Sequence, residues 1–198
     1  MKKILLLLIS IFLSFSVYSQ SIKSLNSVSA NETISGDNAI IYGTFIQRLG
    51  FSSGGFPQDI RIMNVETKEV FSFRVKPTFK SAKENDFIYF LAPGKYIILN
   101  YWWTQSKWYG GTMFTEPIYK DIDATVKLEE KIKSGELQEE DFVQFSFTIS
   151  ENTINYLGTW HFDKGLVSFT DEKTKLDKKI SDKFKKNDFS TGKTVIPN

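Results

Sequence analysis

The chain has no cysteine and a single histidine, His161, among its 198 residues. Without cysteine no disulfide can staple it, so an ordinary hydrophobic core must hold it together. Structural zinc sites draw mainly on Cys and His, and that class is closed. The chain also lacks a charge excess of either sign, with a formal net charge of only +2. Electrostatic capture of nucleic acid needs a concentrated basic face, and none is present, so no nucleic-acid partner is expected. No internal repeat or low-complexity tract appears.

Long apolar runs are missing except at the start, "MKKILLLLISIFLSFSVYSQ". Lys2 and Lys3 precede an apolar run from Ile4 to Val17, and Val17-Tyr18-Ser19 has the small-x-small form of a cleavage site. This predicts a signal peptide over 1–19 and export to the periplasm, the outer membrane or the medium. The run falls short of the roughly 20 residues a spanning helix needs, so no transmembrane span is expected after cleavage. No cysteine follows it, which excludes a lipoprotein anchor. Loss of Lys2 and Lys3 leaves 23 basic against 23 acidic side chains. Residues 20–38, rich in Ser and Asn, read as a flexible leader.

From Ala39 the chain reads as strands. "AIIYGTFI" is β-branched and aromatic; "DIRIMNV" and "VFSFRV" flank "ETKE", a loop of hairpin length. "DFIYFLAPGKYIILNYWW" reads as two strands joined at Pro93-Gly94. In "VQFSFTISENTINYLGTWHF", Val143, Phe145, Phe147 and Ile149 alternate with polar residues, and Ile154, Tyr156, Trp160 and Phe162 continue an apolar face. Period-two alternation of this kind predicts an antiparallel hairpin. "LVSFT" adds a short strand at 166–170. A short helix is expected in the 123–134 region, with Asp123 as cap and Gly135 as stop, and an amphipathic one at about 174–186, where Leu176, Ile180 and Phe184 recur every fourth residue. The expectation is one all-β domain over 39–198, an antiparallel β-sandwich of about seven or more strands with an acidic insertion at 116–142.

Catalytic patterns are few. "GFSSG", Gly50 to Gly54, fits the nucleophile pattern around Ser52, but the following "GFPQD" cannot begin the helix that this chemistry requires. His161 alternates with Trp160, which puts it on the polar face of its strand as a solvated side chain. Acids at Asp121 and Asp123, Glu129 and Glu130, and Glu139 to Asp141 lack the spacing of a calcium loop. No cofactor and no metal is implied, and the chain does not read as an enzyme.

What remains is "YWWTQSKWYGG", residues 101–111, with three of the four tryptophans. Both alternating sets of the preceding strand are apolar, so it is covered on both faces or exposes one for binding. The candidate ligand-binding residues are Trp102, Trp103, Trp108 and Tyr109. Against that stands core packing, with Trp102 or Trp103 inside and its neighbour under the 116–142 insertion.

The stretch "FIYFLAPGKYIIL" resembles the F-x-L-x-P-G-x-Y strand-turn-strand of transthyretin-like, carboxypeptidase-regulatory-like β-sandwich domains. "TINYLGTW" resembles a late hairpin of bacterial secreted domains, and "SVYSQ" is similar to the leader ends of Bacteroidetes exported proteins. The resemblance covers about 39–170 and implies a non-catalytic module for adhesion, accessory binding or envelope assembly, with no functional residue carried over. The expected function is an exported binding or envelope-structural protein whose partner is a glycan or an envelope protein. The alternatives are a glycan-directed hydrolase using a carboxylate pair and a calcium-dependent carbohydrate-binding module.

Overall fold

The structure, a computed structural model, describes residues 21–48, 55–79, 82–107, 110–124 and 126–198. The signal peptide expected over 1–19 and the Ser52 motif lie outside these residues. Eleven strands are described: β1 (Ile22–Ser24), β2 (Ala39–Ile46), β3 (Gln58–Asn64), β4 (Val70–Lys76), β5 (Glu84–Leu91), β6 (Gly94–Lys107), β7 (Gly110–Pro117), β8 (Ser146–Ile149), β9 (Ile154–His161), β10 (Ser168–Thr170) and β11 (Lys193–Thr194). Two helices accompany them, α1 (Leu128–Ser134) and α2 (Lys173–Ser181).

The strands form two sheets. Sheet A runs β1-β4-β3-β6-β7, with β8 beside the first part of β6; sheet B runs β10-β9-β2-β5, with β11 also on β9. The two-sheet architecture agrees with the expected sandwich, but the sheets are mixed and not purely antiparallel. β1 runs parallel to β4, and β9 runs parallel to both β2 and β11. The chain crosses between the sheets repeatedly, so strands adjacent in sequence often do not pair. The chain between β5 and β6, at Pro93-Gly94, passes from sheet B to sheet A, and "SENT" passes from β8 in sheet A to β9 in sheet B. The hairpin expected over 143–162 is therefore corrected: each of its strands pairs elsewhere, and β9 meets β2 running the same way. The "ETKE" hairpin does form. Asn64 Oδ1 accepts from the Glu66 and Thr67 amides at 2.9 and 3.0 Å and closes its turn.

Between the sheets lies an aromatic-rich core containing Phe45, Phe73, Phe87, Tyr101, Trp160 and Phe162. Trp160 meets Phe87 and Phe169 edge-on at centroid distances of 5.5 and 5.2 Å. A second cluster forms on the outer face of sheet B, where Leu176, Ile180 and Phe184 pack on Ile40, Tyr42 and Tyr156. β9 is buried on both faces because it serves both clusters. Gly158 makes this possible. Its φ of +95° is a conformation that L side chains rarely adopt, and the β2–β9 register shifts beside it. The bulge leaves Tyr156 under α2 and places Leu157 and Trp160 in the inter-sheet core. Ile154, Tyr156, Trp160 and Phe162 thus do not share one face.

Other expectations shift at the edges. Residues 21–38, read as a leader ahead of the fold, supply β1 and bury Val28 under the α2 cluster, and the Asn187 amide donates to the Glu32 carbonyl at 2.7 Å. α1 begins at Leu128 with Lys127, not Asp123, at its N-cap, and Gly135 (φ +75°) ends it as expected. The C-terminal helix lies on a sheet face, and its turn continues to Phe184, whose amide donates to the Ile180 carbonyl. No helix among the described residues is long and apolar enough to cross a membrane.

Candidate functional site

β6 carries Trp102 and Trp103 to opposite sides of sheet A. Trp103 follows Tyr101 by two residues and so shares its face. It is only 6% exposed and belongs to the inter-sheet core. Its ring stacks on Phe114 at 4.5 Å and 18°, and its indole N–H donates to Glu116 Oε1 at 2.9 Å. Arg48 holds the other Glu116 oxygen and donates through Nε to the Phe162 carbonyl at 3.2 Å. A buried indole with its one donor satisfied is a core residue. Trp103, one of the candidate ligand residues, thus lies in the inter-sheet core. Trp108 and Tyr109, which join Lys107 to Gly110, lie outside the described residues.

Trp102 faces outward and is half-buried. Its cross-strand neighbours are Asp59 on β3 and Thr115 on β7. Two residues back, about 7 Å along the strand at a rise of about 3.4 Å per residue, Asn100 stands opposite Arg61. A register shift between Arg61 and Ile62, with Leu99 as the extra residue, keeps Asn100 and Trp102 on the outer face while Ile98 and Tyr101 stay inside. Asp59 accepts from Arg74 Nε at 3.0 Å and Nη2 at 3.4 Å. That hydrogen bond pushes the Arg74 guanidinium above its ordinary value.

Two atoms on this face stand out. Arg61 Nε and Asn100 Oδ1 are buried and have no hydrogen-bond partner among the described residues. One is a donor and the other an acceptor, and their strand positions are directly opposite. Buried polar atoms are normally satisfied, and an unsatisfied one costs about 1–3 kcal/mol. Both of the apolar clusters among the described residues lie elsewhere, between the sheets and under α2. The sequence marks Trp102 as a candidate but not Arg61 or Asn100, since a polar residue on an outward strand position gives no sign that its atoms will be unpaired.

His161 lies on the outer face of sheet B, but it is not the solvated residue its alternation predicts. Its side chain is 15% exposed, with Nε2 2.8 Å from Thr170 Oγ1 and Nδ1 3.8 Å from Asp163 Oδ1. The order Thr-His-Asp suggests a nucleophile and base, but 3.8 Å is too long for a hydrogen bond, so the carboxylate does not fix the ring. Burial opposes ionisation of Asp163, yet the Lys83 hydrogen bond at 3.0 Å and further favourable contacts hold its carboxyl below the usual range. Among the described residues no group of three or more His, Asp or Glu side chains could hold a metal ion.

At the loop end of the sandwich, polar side chains are buried together. Tyr101 Oη donates to Gln58 Oε1 at 2.6 Å, Gln58 Nε2 to Gln47 Oε1 at 3.0 Å, and Gln47 Nε2 to the Ala82 carbonyl at 2.7 Å. Lys76 Nζ donates to the Phe56 carbonyl at 2.6 Å, and burial lowers its pKa. These bonds fix the loop bases rather than offer a site. No protein-family model, curated protein or solved structure matches this chain.

Proposed function

We propose that the protein is an exported, non-catalytic binding protein of the cell envelope that takes a glycan on the outer face of sheet A. The observation that carries this reading is the unpaired donor and acceptor, Arg61 Nε and Asn100 Oδ1, beside the half-buried ring of Trp102. A sugar offers an apolar ring face for stacking on an indole. Its hydroxyls both donate and accept, which suits a donor-bearing and an acceptor-bearing side chain on opposed strand positions. Trp102 is then the platform, and Arg61 and Asn100 the polar contacts. The resemblance to transthyretin-like modules, with their accessory-binding roles, belongs to this same proposal.

The register partners around Trp102 do not favour hydrolysis. Glycosidases set two carboxyls across the sugar, whereas here Asp59 is tied to Arg74 and the other neighbours are Thr115, Arg61 and Pro117. A screen of envelope and dietary polysaccharides tests the reading. Binding without product release is the expected result. Turnover of any glycan would overturn the non-catalytic assignment, and binding to none would overturn the glycan.

A further inference from the structure

The β6–β7 hairpin outgrows its sheet. β3 accompanies β6 only as far as Trp102, opposite Asp59, while β6 and β7 stay paired out to Lys107 and Gly110. From Trp103–Phe114 onward the pairs form a two-stranded ribbon, about 17 Å long at about 3.4 Å per residue. Two strands alone are marginal in water. This ribbon is held at its base by the Trp103–Phe114 stack, and nearer its tip the Phe56 ring lies beside Gly111.

No described strand or segment pairs with the outer edge of β7. Among the described residues, the backbone of Gly110–Pro117 bonds to β6 and to nothing else. Gly110, Gly111, Thr112, Met113 and Thr115 are exposed, Met113 to 67%. Natural edge strands are blunted by shortness, lysine, proline, a bulge or a cover. The other edges here follow that rule. β1, β8, β10 and β11 have three, four, three and two residues. β5 is covered by the segment that donates from Val28 to the Ile88 carbonyl and accepts from the Phe90 amide at Asn26. β7 has eight residues, no lysine, no proline before Pro117 and no register shift against β6.

We propose that β7 pairs antiparallel with β7 of a second copy of this chain and joins the two A sheets across a twofold axis. Residues directly opposite in an antiparallel pair share a face, so the twofold passes through a residue position. Centred on Met113, it sets Thr112 against Phe114, Gly111 against Thr115 and Gly110 against Glu116. The single charge of the strand then meets a glycine, and no like charges face one another. A foreign strand would need its own match to this uncharged edge, whereas the second copy supplies one by symmetry. The exposed Met113 side chains cover each other, and Thr112 lies over the half-buried ring of Phe114. This pairing goes beyond the glycan reading and does not rest on it.

The absence of cysteine makes the test clean. Sedimentation of the exported, purified chain is expected to give a concentration-dependent dimer. Met113→Lys, which sets two ammonium groups face to face at an already exposed position, is expected to weaken association about tenfold or more with an unchanged circular dichroism spectrum. Met113→Cys is expected to give a covalent dimer on mild oxidation, and Val126→Cys, exposed on another segment, is not. A chain that stays monomeric at all concentrations overturns the proposal. So does a dimer that Met113→Lys leaves intact, or one in which both cysteine variants cross-link equally.

Discussion

Trp103→Ala separates the two adjacent tryptophans by energy. A tryptophan buries about 150–250 Å², which at about 25 cal/mol per Å² is worth about 4–6 kcal/mol as an upper bound. Alanine keeps a small part of that burial. The 6% exposure of Trp103 and its stack on Phe114 place the site in well-packed core, where loss of a large aromatic costs about 3–5 kcal/mol. Glu116 keeps Arg48 as a partner, so the substitution leaves no unpaired buried charge. Trp103→Phe retains the stack but removes the indole donor, and is expected to lose about 1–2 kcal/mol. Trp102→Ala removes a ring already half in water and is expected to cost less than about 2 kcal/mol. Urea unfolding of the three variants, followed by circular dichroism, gives these differences directly. A Trp103→Ala loss below about 1 kcal/mol, or a larger loss at Trp102, would refute the assignment of faces.

Three further outcomes are expected. Burial raises the pKa of Tyr42, Tyr89, Tyr96, Tyr101 and Tyr156, with the Asp177 hydrogen bond adding to the effect at Tyr42. Their contribution is fully present below the unfolded value of about 10 and is lost as pH rises beyond it, by up to about 1.4 kcal/mol per pH unit for each ring. Lys76, lowered by burial, works the other way just below about 10.4. Alkaline unfolding is therefore expected to begin near pH 10 with tyrosinate absorbance rising in one cooperative step; gradual titration of these rings in a folded chain would contradict it. Gly158→Ala forces a side chain onto φ +95°, with the new Cβ 3.3 Å from the Thr170 carbonyl oxygen, and is expected to cost about 1–3 kcal/mol in urea unfolding. Val28→Ala removes buried carbon from the segment before β2 and is expected to cost about 1–2 kcal/mol; no change would mean that this segment does not stabilise the fold.

Period-two alternation found most strands because it reports which side of a strand is apolar. Phe71, Phe73 and Val75 do face the core from β4. Alternation does not report a strand's partner, and the two supposed turns at Pro93-Gly94 and "SENT" join different sheets instead of neighbours. Parallel pairing of β2 with β9 depends on that crossing and on the Gly158 bulge, which in sequence is only a gap in a pattern. The polar leader hid β1 because a three-residue edge strand needs little apolar surface. At the site, the tryptophan pair was legible as a pair, but which ring lies inside follows from the bulge at Leu99, which no local pattern marks. Arg61 and Asn100 become notable only when their atoms are buried without partners.

The most direct test of the central claim is a calorimetric titration of the purified chain and of Trp102→Ala with a glycan taken from the polysaccharide screen. Trp102→Ala is expected to weaken binding about tenfold or more while the fold persists, and Arg61→Met and Asn100→Leu are expected to weaken it as well. Binding that survives all three substitutions unchanged would contradict that claim.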